Sequence, residues 1–317
     1  MESDLAGLPP LVNVPWYRRS ENERLLKEIK GRLSQDRQDV LIFLGAGLSY
    51  GVSTGRGTFE DGRYEIGARF PGWHLLIRRM HERLKSLPDL QDHHRALERF
   101  FQEEGPLDCA ELFREKVGMA NYFSFLKEQF GSHPDDRGRL SRSHLELVKL
   151  PIQNVFTTNY DELIELAYRT FGQEVKVSVS PEEFLAHQVD KPRRHIIKIH
   201  GSIDRPDTIV LARTDYARSR RERAEMFYYL AQELRYTSFL FVGFSLLDPN
   251  FGLLHDEARI VMKNLMPVSY VVQGSPDVVK EAYLRAMGVN TISLDWWEDL
   301  PQFLYMINPL NEKPMVV

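Results

Sequence analysis

The sequence predicts an α/β fold: a mostly parallel β-sheet with helices on both faces and a helical insertion after the first strand. Three observations carry this reading. From about residue 154 onward, short β-branched apolar runs alternate with longer amphipathic stretches. Upstream, the run Val40-Leu41-Ile42-Phe43 stands apart and leads at once into a glycine turn. Between these regions, from about 59 to 150, helical periodicity dominates and no strand pattern interrupts it.

Residues 1–19 carry three prolines and little periodicity, so they read as an extended N-terminal arm. Leu25, Ile29 and Leu33, four apart on an otherwise charged stretch, predict a helix over 20–33. A buried strand over 39–44 follows, and Gly45 starts the turn into the next helix. The insertion at about 59–150 reads as helices over 73–84, 93–104, 110–117, 122–130 and 143–148. Beyond it, strands are expected at 155–158, 175–180, 196–200, 209–212, 239–243, 268–272 and 291–294. Helices are expected at 161–171, 218–234, 251–263, 276–287 and 296–307. With no internal repeat or low-complexity linker, residues 20–317 read as one Rossmann-like domain carrying the helical insert.

Composition narrows the function. At 317 residues and 43% hydrophobic content the chain can bury a sizeable core. A net charge of -4 gives no general ground for nucleic acid or an acidic membrane surface as partner, and direct nucleic-acid binding is not expected. The basic runs Lys191, Arg193, Arg194 and Arg218, Arg220, Arg221, Arg223 lack interleaved aromatics, and the second reads as a solvated helix face. No stretch approaches the ~20 apolar residues of a membrane span, and the acidic start Met1-Glu2-Ser3-Asp4 does not read as a secretory signal. The single cysteine, Cys109, excludes an intrachain disulfide and a multi-thiolate zinc site, and it suits a reducing cytoplasm. None of the ten histidines forms an HExxH or Cys/His cluster, so no metal is expected.

The chemistry-bearing residues fall in four segments, each after an apolar run: Gly45-Ala46-Gly47-Leu48-Ser49, Thr157-Thr158-Asn159-Tyr160-Asp161, His200-Gly201-Ser202 and Gly243-Phe244-Ser245. Ligands of an open α/β sheet bind outside the carboxyl ends of its strands, so these loops can converge on one crevice. Small residues at Gly45, Ala46 and Gly47 let backbone N–H groups approach a phosphate, although Tyr50 stands where a third fingerprint glycine would be. A tight strand-to-helix turn explains the same residues. Ser49 caps a helix or bonds a ligand, and Gly51 to Gly57 reads as a flexible loop over the pocket. Asn159 and Asp161, two apart, point to one side while Tyr160 faces away. An amide can hold a ribose hydroxyl or a water, and Asp161 can orient it or cap the following helix. His200, at a strand end beside Gly201, is the candidate general base. Ser245 can reach ribose hydroxyls, and Asp248 before Pro249 is a helix cap or a ligand contact. Trp296-Trp297 reads as packing.

Together these segments resemble the sirtuin superfamily over roughly 39–49 and 155–248. The stretches Phe156-Thr157-Thr158-Asn159-Tyr160-Asp161-Glu162-Leu163 and Gly243-Phe244-Ser245-Leu246-Leu247-Asp248-Pro249-Asn250 look like the bacterial sirtuin-like NAD hydrolases of anti-phage defence. The resemblance implies that Asn159 and His200 take the catalytic positions, with Asp161 orienting them. It implies that Gly45, Ala46, Gly47, Ser49, Gly243, Ser245 and Asp248 hold the phosphates and adenosine ribose of NAD. The CxxC pairs of a sirtuin zinc module and its GIPDFR-like loop are absent. Hydrolysis of NAD to nicotinamide and ADP-ribose is therefore expected, with NAD as substrate and no zinc or other cofactor. An effector of this kind needs gating, so a homo-oligomer is expected, and a HerA-like ATPase or a short Argonaute is the implied partner. A zinc-independent deacylase or ADP-ribosyltransferase, and a non-catalytic NAD- or ADP-ribose-binding assembly subunit, remain open.

Overall fold

Strand β1 (Val40–Leu44) is five consecutive apolar residues, all buried, as a strand must be when helices cover both sheet faces. The computed structural model describes residues 14–34, 39–49, 59–60, 63–64, 70–131 and 140–311. Two short strands follow β1, β2 (Phe59–Glu60) and β3 (Arg63–Tyr64), paired antiparallel. They depart from the expected strand-free insert. The main sheet continues with β4 (Asn154–Thr157), β5 (Lys176–Ser178), β6 (His195–Lys198), β7 (Ser238–Val242), β8 (Ser269–Gln273) and β9 (Val289–Ser293). Its seven strands are all parallel, in the order β5-β6-β4-β1-β7-β8-β9. The expected strand at 209–212 is not part of it. The Val210 N–H goes to the His200 carbonyl, and Leu211 and Ala212 donate to Asp215 Oδ2. A turn and a helix cap thus take the donors a ladder would need.

The described residues form twelve α-helices: α1 (Ser20–Leu33), α2 (Trp73–Lys85), α3 (His94–Glu103), α4 (Pro106–Phe130), α5 (Arg142–Leu147), α6 (Leu163–Thr170), α7 (Pro181–Asp190), α8 (Arg213–Glu222), α9 (Ala224–Tyr236), α10 (Pro249–Met262), α11 (Val278–Ala286) and α12 (Leu300–Ile307). Period-two alternation along β1 divides the core. Val40, Ile42 and Leu44 face a cluster built with α1, α5, α6 and α12. Leu41 and Phe43 face the other, built with α7, α9, α10 and α11.

The insert makes a third core. Leu76, Met80, Leu97, Phe113, Tyr122 and Phe130 pack with Tyr160, Leu163, Ile203 and Leu211 from the sheet's loops. Helix α4 spans both expected helices at 110–117 and 122–130, and it kinks between them at Gly118 (φ 75°). Helix α5, expected within the insert, instead packs on α12 and the sheet. The expected arm also differs at its described end. Trp16 is buried, donating its indole N–H to Gln302 Oε1 at 3.2 Å, and Arg19 pairs with Asp295. Residues 1–13 lie outside the described residues.

Three glycines let the central turns interlock. A Cβ on Gly243, whose φ is +67°, would sit 2.3 Å from the Leu48 amide nitrogen. Cβ atoms on Gly45 and Gly47 would lie 2.5 Å from the Gly243 carbonyl oxygen and 2.7 Å from its Cα. Gly243→Ala should therefore cost at least about 3 kcal/mol, from positive φ and backbone collision together. Gly252→Ala, in α10 with open space at its Cβ, should instead stabilise by about 0.5–1 kcal/mol. Urea unfolding of the two variants against the parent checks both signs.

Candidate active site at the carboxyl edge of the sheet

Strand register gathers the four segments. Leu44 pairs with both Thr157 and Val242, and Thr157 pairs with Lys198, so β6, β4, β1 and β7 end in one row. The ladder extends one step further through Thr158 N–H to Leu44 O (3.3 Å), Ile199 N–H to Thr157 O (3.1 Å) and Gly45 N–H to Val242 O (3.0 Å). Asn159 and His200 each lie two residues beyond the row, in the loops that follow the neighbouring strands β4 and β6. The row includes β1 and β7, where the chain leaves one half of the sheet for the other, the expected place for a ligand crevice.

The first glycine turn differs from the expected phosphate cradle in where its donors go. Gly45 N–H bonds the Val242 carbonyl, Gly47 N–H the Gly243 carbonyl at 2.9 Å, and Leu48 N–H the Gly45 carbonyl. Gly45 is buried and Ala46 exposed. The Trp297 indole, read from sequence only as packing, donates to the Gly47 carbonyl at 2.8 Å and fixes this turn. The expected loop at 51–57 lies outside the described residues. Ser49 is buried and donates to Asp161 Oδ2 at 3.1 Å.

Asp161 accepts from the Leu163 N–H through Oδ1 (3.1 Å), so both its oxygens are engaged, one at the start of α6 and one on Ser49. Among the described residues it bonds neither Asn159 nor His200, contrary to the expectation that it orients the pair. Burial pushes its carboxyl up to about 6, against the opposing pull of the nearby Lys198 ammonium. Lys198 was missed as a site residue. Its ammonium, 1% exposed, donates to the carbonyls of Tyr160 and Asp161, to Glu165 Oε1 (2.9 Å) and to Ser202 Oγ (2.9 Å). A lysine inside a buried β-run was the signal available. Tyr160 faces away as expected, donating to the Val210 carbonyl and packing edge-on against Phe130.

Asn159 is the most telling side chain. It is 4% exposed, yet neither its amide nitrogen nor its amide oxygen has a hydrogen-bond partner among the described residues. Its backbone N–H is held by Thr157 Oγ1 at 3.0 Å. A buried amide open at both ends among the described residues can bond a group that both donates and accepts.

His200 is 2% exposed, and its ring meets Tyr216 edge-to-face at 5.2 Å. Burial lowers its pKa, with help from the Arg223 guanidinium, while Asp248 opposes the shift. Nε2 lies 3.4 Å from Asp248 Oδ2 and makes no hydrogen bond of good geometry. Asp248 caps α10 through Oδ1 to the Phe251 N–H (2.9 Å) and accepts the Tyr216 hydroxyl on Oδ2 at 2.7 Å. Each of its oxygens thus bonds a protein group, and the cap is the first of the two roles expected for it. Ser245 is exposed on the loop after Gly243. Tyr216 carried no signal in the sequence. Arg223, assigned to a solvated face, is buried instead, bonding the Ile199 carbonyl at 2.7 Å and the Thr208 carbonyl.

Residues 153–292, from the start of β4 through most of β9, match the family model described as a SIR2-like domain. Asn159, His200, Gly243 and Asp248 all lie inside the matched segment. The chain is 26% identical over 245 residues to "NAD(+) hydrolase ThsA" of Cytobacillus dafuensis, covering 77% of this chain and 42% of that protein. It is 32% identical over 120 residues to "NAD(+) hydrolase ThsA" of Bacillus cereus (strain MSX-D12), covering 38% of this chain and 25% of that protein. "Defense-associated sirtuin 2" of Bacillus subtilis is 22% identical over 248 residues, 77% of this chain and 22% of that protein. The chain thus spans less than half the length of the curated relatives it matches. Among the described residues, no group of three or more His, Cys, Asp or Glu is placed to hold a metal, and no helix is long and apolar enough to cross a membrane.

Two outcomes follow for this edge of the sheet. Asn159→Ala should raise ligand-free stability by about 1 kcal/mol, because an unpaired buried amide costs roughly 1–3 kcal/mol and the cavity left is small. Urea unfolding without ligand checks this, and a clear loss of stability would show that the amide is satisfied. Asp161 has a folded pKa of about 6 against an ordinary 3.8. In that window the folded protein keeps a proton that the unfolded chain releases. The stability it contributes is present below the ordinary value and is lost as pH rises toward 6. The stability of Asp161→Asn minus that of the parent should therefore grow by about 2 kcal/mol from pH 4 to pH 7. A flat difference would contradict a raised Asp161.

Proposed function

We propose that this chain is an NAD hydrolase. It would cleave the nicotinamide–ribose bond to give nicotinamide and ADP-ribose, as a gated effector of anti-phage defence. The observation that carries this is the open amide of Asn159, in the loop next to the one that carries His200 at the row of strand ends, within a segment matched by a SIR2-like model. The printed names of the relatives agree with this chemistry for those proteins.

The reaction needs little covalent help. Nicotinamide departs from the anomeric carbon with the bonding electron pair and leaves neutral, so no acid has to protonate it. Water forms the new carbon–oxygen bond and sheds one proton. Asn159 holds that water or a ribose hydroxyl through its amide. His200, kept neutral by burial, takes the proton directly or through a ribose hydroxyl. Asp161 acts at one remove, fixing Ser49 and the start of α6. The interlocked turns at Gly45, Ala46, Gly47 and Gly243, with Ser49 and Ser245, border the phosphates and adenosine ribose. Gating falls to assembly, either with copies of this chain or with a separate ATPase or Argonaute partner.

Purified chain, alone across a dilution series and mixed with candidate partners, is incubated with NAD and the products are resolved by chromatography. Free ADP-ribose and nicotinamide in equal amounts are expected. Asn159→Ala and His200→Ala should each lower turnover by about 10²- to 10⁴-fold with the far-UV spectrum unchanged. Label retained on protein would favour a transferase, and parental turnover in either variant would remove that residue from the mechanism.

A further inference from the structure

We propose that Asp248 and Tyr216 form a positioning pair that fixes the proton of His200 on Nε2, leaving the Nδ1 lone pair as the acceptor in the reaction. The inference rests on the hydrolase reading for its catalytic meaning, although the tautomer itself can be observed in the ligand-free protein.

A neutral imidazole carries one N–H and one lone pair, and the neighbour of one nitrogen decides the role of the other. The buried neighbour of Nε2 is Asp248 Oδ2, 3.4 Å away. Asp248 cannot swing aside easily. Oδ1 is tied to the Phe251 N–H at the first turn of α10, and Oδ2 receives the Tyr216 hydroxyl at 2.7 Å. The helix N-terminus also favours its negative charge. Tyr216 in turn presents its ring edge-to-face to the imidazole, so one residue confines both carboxylate and base. The carboxylate only accepts, so the Nε2 proton is the one it can hold, and the long separation is of the kind that shortens when a substrate complex forms. When His200 gains a second proton at Nδ1, the adjacent carboxylate stabilises the imidazolium. The charged groups facing His200 are Asp248 from α10 and Arg223 from the α8–α9 junction, with the Tyr216 phenol from α8. Arg223 is itself engaged by two carbonyls, leaving Asp248 as the countercharge.

The test uses the full chain and cap-preserving variants. Asp248→Asn keeps an acceptor for the Phe251 N–H, since asparagine is a good helix cap, but it offers an N–H to Nε2 and so inverts the tautomer. Asp248→Ser caps α10 while removing the carboxylate. Imidazole nitrogen shifts are read by long-range ¹H–¹⁵N spectroscopy without ligand, the His200 signals being assigned by their loss in His200→Gln. The Nε2–H form is expected in the parent and the Nδ1–H form in Asp248→Asn. A parent already in the Nδ1–H form, or no change in Asp248→Asn, overturns the proposal whether or not NAD is the substrate. In turnover assays, Asp248→Asn and Asp248→Ser should lower kcat by about 10²-fold or more with KM within about threefold. The acid limb of the residual kcat/KM of Asp248→Ser should move to lower pH. Tyr216→Phe strips a donor from the carboxylate, so its acid limb should move to higher pH. Shifts of the same sign in both, or an unmoved limb, would reduce the pair to a structural role. If the parent turns over no NAD at any concentration or with any candidate partner while His200 shows the expected tautomer, the hydrolase reading fails and the positioning pair stands.

Discussion

A single buried ammonium holds the working edge of this protein together. Lys198 ends β6 with its charge inside the fold, where an isolated cation would be costly. It is tolerated because four oxygens surround it, from Tyr160, Asp161, Glu165 and Ser202. Those oxygens belong to the loop after β4, the first helix beyond it and the loop after β6. The ammonium therefore joins the loop that carries Asn159 to the loop that carries His200, on adjacent strands. Losing one member of such a pair typically costs about 3–5 kcal/mol, because the remaining charge is left without its partner. The positions of the two candidate catalytic side chains thus depend on a residue that touches neither reacting group.

The two site aspartates show how one edge can use the same side chain differently. Asp161 is enclosed and its carboxyl is raised, so its gain comes from bonds to a serine and a helix N–H. Asp248 has a side chain 5% exposed, yet it sits at a helix N-terminus beside a phenol and an imidazole. Its charge is the one placed where positive charge would develop on His200. Divergent surroundings for like groups are how proteins divide acid, base and electrostatic roles. From residue types alone the two were interchangeable, and their assignment went to the nearer in sequence.

Strand positions and the four loop motifs were legible because they depend on local patterns. Val40 to Leu44 or Phe239 to Val242 have no other way to bury their side chains. Asn159 and His200 were legible because a polar residue just past such a run must sit at the sheet's edge. What escaped depends on partners distant in sequence. The segment at 209–212 has strand composition, but its amides are claimed by His200 and Asp215. Arg223 looks like its solvated neighbours, and only the break between α8 and α9 turns it inward. The pairing of Tyr216 with Asp248, 32 residues apart, and of Trp297 with Gly47, 250 apart, leaves no local trace. The glycines were read as room for a phosphate, and in the structure each admits the other's backbone.

The stitching of Trp16, Arg19 and Asn22 to Ser293, Asp295 and Gln302 has a consequence for synthesis. Leu25, Ile29 and Leu33 bury themselves in a cluster that includes Phe303, Leu304 and Ile307. On the ribosome, the apolar stripe of α1 emerges long before α12 exists to cover it. Loop-closure entropy opposes so distant a contact until late, and an uncovered stripe invites chaperones or self-association in the meantime. Folding of this layer is therefore a late event, and a nascent chain stalled before about residue 300 would carry its first helix unsheltered.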